Sequence, residues 1–284
     1  MALFRLISTA HLPGHALFAM MLDPISRFLH DRSGSHGPVM LMYHALQRGR
    51  RTPEWPWAVS EKAFCAQLDF LQAEGYRTLT MGELVALRDK PVERTVVLTF
   101  DDGYIDNLAA CDELVKRGMN ASWFIVSGSV GQAPAWPADG RPDGRLLNAA
   151  ELSRMHDAGM EIGSHTVSHA RMPELDDREL HRELTDSKAS LEDAIGATVS
   201  SFAYPYGAWD ERCADAVRGA GYAAACTTRT GWTMRDGDPY RLRRLTVFNH
   251  DSLGSFARKL YFGSHDVAWS DIARYALRRA GLMR

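Results

Sequence analysis

Apolar residues along this chain follow two periods that alternate from end to end. Short unbroken apolar or β-branched runs read as strands buried on both faces: PVMLMYH at Pro38–His44, TVVLTF at Thr95–Phe100 and ASWFIV at Ala121–Val126. Further strands are expected at Met160–Gly163, Ser201–Tyr204, Tyr222–Cys226 and Leu242–Phe248. Between them apolar residues recur at helical spacing. Ser60 is placed to cap a helix through Phe64, Leu68, Phe70 and Leu71 that stops at Gly75, and Thr80 caps a shorter one through Leu87. A helix through Leu108, Leu114 and Val115 ends at Gly118, one over Asn148–Ala158 ends at Gly159, and a long charged helix covers Glu174–Ile195. Two final helices are expected after Phe248, whereas Arg48–Trp57 and the Gly- and Pro-rich stretch Gly128–Arg145, with Trp136 inside it, read as loops.

Strands that alternate with helices build a parallel sheet with helical crossovers, and about seven such units favour a closed barrel over an open sheet. The fold class is therefore α/β, a distorted (β/α) barrel of about seven strands. The expected organisation is an N-terminal extension over residues 1–35 and one catalytic domain over residues 36–284. No GxGxxG follows the first strand, which speaks against dinucleotide binding.

At 284 residues, 45% hydrophobic and 24% charged, the chain is long enough to bury a large core in one such barrel. A net charge of −2 gives no footing for nucleic acid. Cys65, Cys111, Cys213 and Cys226 are scattered without a CxxC pair, so neither a zinc knuckle nor a disulfide framework is indicated. The apolar N-terminus is broken by His11, Pro13 and His15 and carries no clear signal peptide or membrane span. The expected location is cytoplasmic or peripheral on a membrane. A helix after Pro13 and a basic last helix (Arg274, Arg278, Arg279) either pack on the domain, the favoured reading, or touch an anionic membrane surface.

The chemistry gathers where strands end. Asp101 and Asp102 stand side by side after a buried strand, where two carboxylates repel and resist desolvation unless a cation sits with them or one serves as a base. His165 and His169, four residues apart after another strand, would share a face if the segment turned helically. The same spacing at His11 and His15 is broken by Pro13 and Gly14, and Asp176-Asp177 sits at a helix start, where carboxylates favour the dipole. One Asp and two His leave positions open for water and substrate. Zinc fits such a hydrolase set best, and iron, cobalt, nickel or manganese are compatible with it. His44 and Tyr206 also fall at strand ends, the functional face of a parallel barrel.

TFDDG, then HTVSH, then FAYPYG, in that order from Pro38 to Phe262, resembles the polysaccharide deacetylases, carbohydrate esterase family four. The resemblance implies metal-dependent removal of N-acetyl groups from an N-acetylhexosamine glycan of the envelope or an exopolysaccharide. It implies Asp101 as general base, Asp102, His165 and His169 as metal ligands, and Pro205 with Tyr206 as groove wall and oxyanion donor. The family's arginine that orients the base is missing from its usual motif, and Arg243 or Arg244 is the substitute. The late histidine that usually serves as acid is missing too. His44, in a first strand reading LMYH as in exopolysaccharide poly-N-acetylglucosamine deacetylases, takes that role, with His250 second. O-acetyl esterase, cyclic-imide hydrolase, a silent glycan-binding relic and, from the ligand set alone, an iron oxygenase are the alternatives.

Overall fold

Strand and helix do alternate as the two periods predict. The computed structural model describes residues 24–33, 37–49, 51–87, 94–137, 140–141, 143–265, 267, 273 and 277. Helix α1 (Pro24–Ser33) precedes strand β1 (Val39–Tyr43), followed by two short strands, β2 (Ala45–Gln47) and β3 (Ala58–Ser60). Helix α2 (Glu61–Ala73) leads to β4 (Arg77–Leu79), α3 (Met81–Leu87) and β5 (Thr95–Phe100). Next come α4 (Asn107–Lys116), β6 (Ser122–Ile125), α5 (Ala149–Asp157), β7 (Glu161–Ser164) and α6 (Asp177–Ile195). Strand β8 (Ser201–Ala203), α7 (Glu211–Gly219), β9 (Ala224–Cys226), β10 (Leu245–Thr246) and α8 (Leu253–Phe262) follow.

Seven parallel strands form the frame in the order β10-β1-β5-β6-β7-β8-β9, a distorted barrel. Strand β4 pairs with the start of β5 on the edge that β6 takes over further along, through Thr78↔Val96 and then Thr99↔Ser122. Leu242 bridges to Cys226, and Leu245 pairs with Leu41, so one segment joins β9 to β1 and draws the sheet round on itself. The pleat sorts the strands into two cores. Val96, Leu98, Phe100, Trp123 and Leu245 face the helices, with Trp123 stacked on Phe100 at 4.6 Å. Met40, Val97, Phe124, Ala203 and Ala224 fill the lumen.

Several expectations shift at their edges. Helix α6 starts at Asp177 rather than Glu174, because Asp176 and Glu179 cap one another's backbone N–H groups and fix the start there. The loop expected over Arg48–Trp57 runs between β2 and β3, which pair in parallel through Ala45↔Ala58. The strand expected over Leu242–Phe248 narrows to β10. Within residues 1–35, α1 packs on the barrel's helices: His30 Nδ1 lies 2.9 Å from the Tyr261 carbonyl, and Arg27 reaches Glu74 at 3.3 Å. The helix expected after Pro13 and, apart from residues 273 and 277, the basic last helix lie outside the described residues. Among the described residues no helix is long and apolar enough to cross a membrane.

Candidate metal centre and active site

The row of lumen-facing residues on β5 decides where Asp101 points. Phe100 faces the helices, so Asp101 continues the inward row of Val97 and Thr99, and its N–H still donates to the Tyr43 carbonyl at 3.0 Å. The same alternation on the closing segment turns Leu245 and Val247 outward and Arg244 inward. Arg244 and Asp101 meet in the lumen as a fork-on-fork pair, with Nη1 2.6 Å from Oδ1 and Nη2 2.8 Å from Oδ2. The guanidinium also donates to Thr99 Oγ1 at 3.1 Å and to the Thr227 carbonyl at 3.0 Å. Exposure is 0% for Arg244 and 2% for Asp101, so water does nothing to screen them. Burial pushes the Asp101 carboxyl up, but Arg244 first and then His165 and His44 outweigh it and hold the pKa at about 2. Arg243, the other candidate, turns away to Asp236, at 2.8 and 2.7 Å.

Asp102 is next in the chain and faces a different set of partners. Its φ of 71° swings its carboxylate away from the Asp101–Arg244 pair. Oδ1 lies 3.6 Å from His165 Nε2 and 3.4 Å from His169 Nε2, and the three donor atoms fall within 4.8 Å of one another. His165 is held from behind by the Ala203 carbonyl, 2.7 Å from Nδ1, which leaves the Nε2 lone pair directed at Asp102. The expected helical turn between the histidines does not form. Thr166 and His169 both take left-handed backbone angles, φ 67° and 62°, and the loop so made brings the rings to 4.9 Å. Desolvation lowers the pKa of both, that of His169 to about 2, so each imidazole is neutral and free to coordinate at neutral pH. Three buried donors, one carboxylate oxygen and two imidazole nitrogens, fit a divalent cation, and the Asp-His-His set suits zinc or a similar borderline ion.

Around this centre stand the remaining predicted residues. His44 ends β1, half-buried, its ring 5.9 Å from Trp55 and 6.4 Å from Trp57. Tyr43 pairs with Phe100 and its carbonyl accepts from the Asp101 N–H at 3.0 Å, which sets His44 beside Asp101 at the same mouth. His250 stands apart: it is exposed, stacked on Phe248 at 5.3 Å and hydrogen-bonded with Asn249 Oδ1 at 3.1 Å. Pro205 opens a single helical turn, and Tyr206 follows at φ 58°, 48% exposed, its ring 4.5 Å from His169. Trp136 was legible only as a loop residue, yet its ring lies 4.6 Å from His169. The sequence signal was an aromatic residue in a Gly- and Pro-rich loop that follows a strand end.

The profile described as Polysaccharide deacetylase matches residues 88–225. YxkH of Bacillus subtilis, whose name places it among the polysaccharide deacetylases, is 32% identical over 229 residues, 79% of this chain and 76% of its own. The chain belongs to the polysaccharide deacetylase family. The poly-beta-1,6-N-acetyl-D-glucosamine N-deacetylase of Staphylococcus epidermidis is 25% identical over 207 residues, 68% of this chain and 69% of that one. A polysaccharide deacetylase structure from Bacillus cereus matches with a TM-score of 0.66 at 25% identity, covering 78% of this chain and 68% of that one. IcaB from Ammonifex degensii shares the fold at a TM-score of 0.66, 24% identity, and coverage of 81% and 97%. Asp101, Asp102, His165, His169, Pro205 and Tyr206 fall inside the matched profile, whereas His44 and Arg244 fall outside it.

Proposed function

We propose that this deacetylase is a metal-dependent hydrolase removing N-acetyl groups from an N-acetylhexosamine-containing polysaccharide or oligosaccharide. One observation carries the reading: two adjacent carboxylates are treated oppositely, Asp101 being matched by Arg244 while Asp102 faces two neutral imidazoles. Such a split assigns different work to the two acids. Asp102, His165 and His169 would hold the divalent ion, most suitably Zn2+, which when bound supplies Lewis acidity toward an acyl oxygen and toward water.

Asp101 is the proton acceptor. Its carboxyl, held low by Arg244 beside it, is ionised at neutral pH and can accept a proton from water. Arg244 grips both carboxylate oxygens and fixes the direction of proton transfer. The Tyr206 backbone N–H serves the developing oxyanion. His44 delivers a proton to the departing nitrogen, because an amine leaves an amide readily only when protonated. Trp136 and Tyr206 offer rings of the kind that lie against the apolar face of a pyranose.

The experiment removes metal with a chelator, restores Zn2+, Co2+, Ni2+ or Mn2+ in turn, and measures acetate released from β-1,4- and β-1,6-linked N-acetylglucosamine oligosaccharides. Release should follow metal content. His44→Ala should lower it about 10²–10⁴-fold, sparing metal content and the hydrolysis of an activated aryl acetate, while His250→Ala changes nothing. Acetate release that persists without metal, or none with any ion and any oligosaccharide, would overturn the reading.

A further inference from the structure

The loop that carries both histidines is unusual in its backbone, and a side chain of the helix that follows it, α6, restrains it. Thr166 and His169 sit in the left-handed region, which a β-branched residue such as Thr seldom occupies. Such a conformation persists only where the surroundings over-determine it. The amides of Val167 and Ser168, between them, converge on one carboxylate: Glu183 Oε2 accepts from Val167 N at 2.8 Å and from Ser168 N at 2.9 Å. The other oxygen, Oε1, accepts from Ser168 Oγ at 2.7 Å. Successive backbone N–H groups in a loop with left-handed residues make a concave anion seat, and here helix α6 fills the seat with its own side chain. One turn along that helix, on the same face, Ser187 Oγ donates to the Thr166 carbonyl at 3.1 Å and pairs with Ser164 Oγ at 2.7 Å.

Further contacts to the loop's backbone come from neutral groups. Thr166 Oγ1 accepts from His169 N at 2.9 Å, and Ser127 and Gly128 donate to the Thr166 and Val167 carbonyls at 3.1 and 2.9 Å. Glu183 accepts three of the loop's donors, the two amides and the Ser168 hydroxyl.

We propose that Glu183 is a positioning residue that holds residues 165–169 in the conformation in which both imidazoles face Asp102. It touches neither substrate nor the ligand atoms and acts through the two amides between the histidines. The inference rests on the metal-centre reading above. With the seat emptied, the Val167 and Ser168 amides turn to water, the left-handed turns relax, and the two rings lose their common focus.

The test titrates chelator-treated full-length protein with Co2+ and Zn2+, by calorimetry and by the visible Co2+ spectrum. Glu183→Ala should weaken binding about 10–100-fold and alter the Co2+ band, as loss of an outer partner of a ligand does. Glu183→Gln, which keeps an acceptor oxygen but loses the charge, should fall between Glu183→Ala and the parent protein. Asp186→Asn, an exposed acid three residues along the same helix whose carboxylate accepts from the Thr185 hydroxyl, should bind as the parent does. Unfolding of the metal-free variants, followed by circular dichroism, separates a misfolded chain from a loosened loop. Parent-like affinity in a folded Glu183→Ala overturns the positioning role alone. If Glu183→Ala does not fold, parent-like affinity in Glu183→Gln overturns it, as does equal weakening in Asp186→Asn. A parent protein that binds neither ion overturns the metal-centre reading and this inference with it.

Discussion

Asp101 and Arg244 show how much a single pair can matter when both partners are buried from bulk solvent. Breaking a buried ion pair strands a charge, which costs roughly 3–5 kcal/mol, more than most substitutions. Arg244→Met should therefore lower unfolding free energy by that order in urea titrations and abolish turnover. Arg244→Lys, which keeps the charge but not the fork, should recover part of the stability and little of the rate. Unchanged stability in Arg244→Met would mean that Asp101 finds another partner. Asp106 offers a second test at this scale. Burial pushes its carboxyl up to about 7, against hydrogen bonds from the Leu46 N–H and the Asn107 side chain that pull it down. Its folded pKa thus exceeds the unfolded value near 4, so its contribution is complete below about pH 4 and is lost as pH rises through about 7. Asp106→Asn should match the parent protein at pH 4 and exceed it at pH 8, each pH unit between the two pKa values being worth about 1.4 kcal/mol. Equal destabilisation at both pH values would refute the assignment.

Among the elements, the turn after β8 is the most tightly specified. Gly207 sits at φ 65°, and a Cβ there would run into the Thr228 side chain. Gly207→Ala should cost about 1–3 kcal/mol in urea unfolding, and adding Thr228→Ala should return only part of it, since the Thr228 Cβ stays close and the backbone angle remains strained. A single mutant as stable as the parent would show that the turn can shift. What the sequence reveals of such elements depends on whether their determinants are local. The apolar strands and amphipathic helices are legible because side-chain period follows from backbone geometry. Strands β2 and β3 are too short to show a period. The left-handed turns at Thr166 and His169 leave no mark in the sequence, because neither residue type asks for that backbone; distant hydrogen bonds impose it. At the site, the paired acids and the two histidines could be read from their place at strand ends. Arg243 and Arg244 could not be told apart by motif, although the outward Leu245 and Val247 beside them carried the answer in their alternation.

For the whole molecule, the helix before the first strand is part of the body it packs on. Arg27 reaches the buried Glu74, and Leu29 lies against the main core. Deleting residues 1–35 should lower the melting temperature by several degrees, at roughly 2–4 °C per kcal/mol for a chain of this size. Deleting residues 1–23 tests the segment ahead of that helix separately. Equal melting of the 1–35 deletion and the full chain would show that the packing adds nothing. A larger dependence follows from where Arg244 stands in the chain. Its partner Asp101 precedes it by 143 residues. A nascent chain that has not yet released β10 from the ribosome already carries both histidines and both aspartates, but the sheet is unsealed and Asp101 has no counter-charge. Closing the last seam brings Arg244 to Asp101 and completes the ion pair. A chain truncated between β9 and β10 would therefore carry TFDDG, HTVSH and FAYPYG intact and still leave Asp101 without its counter-charge.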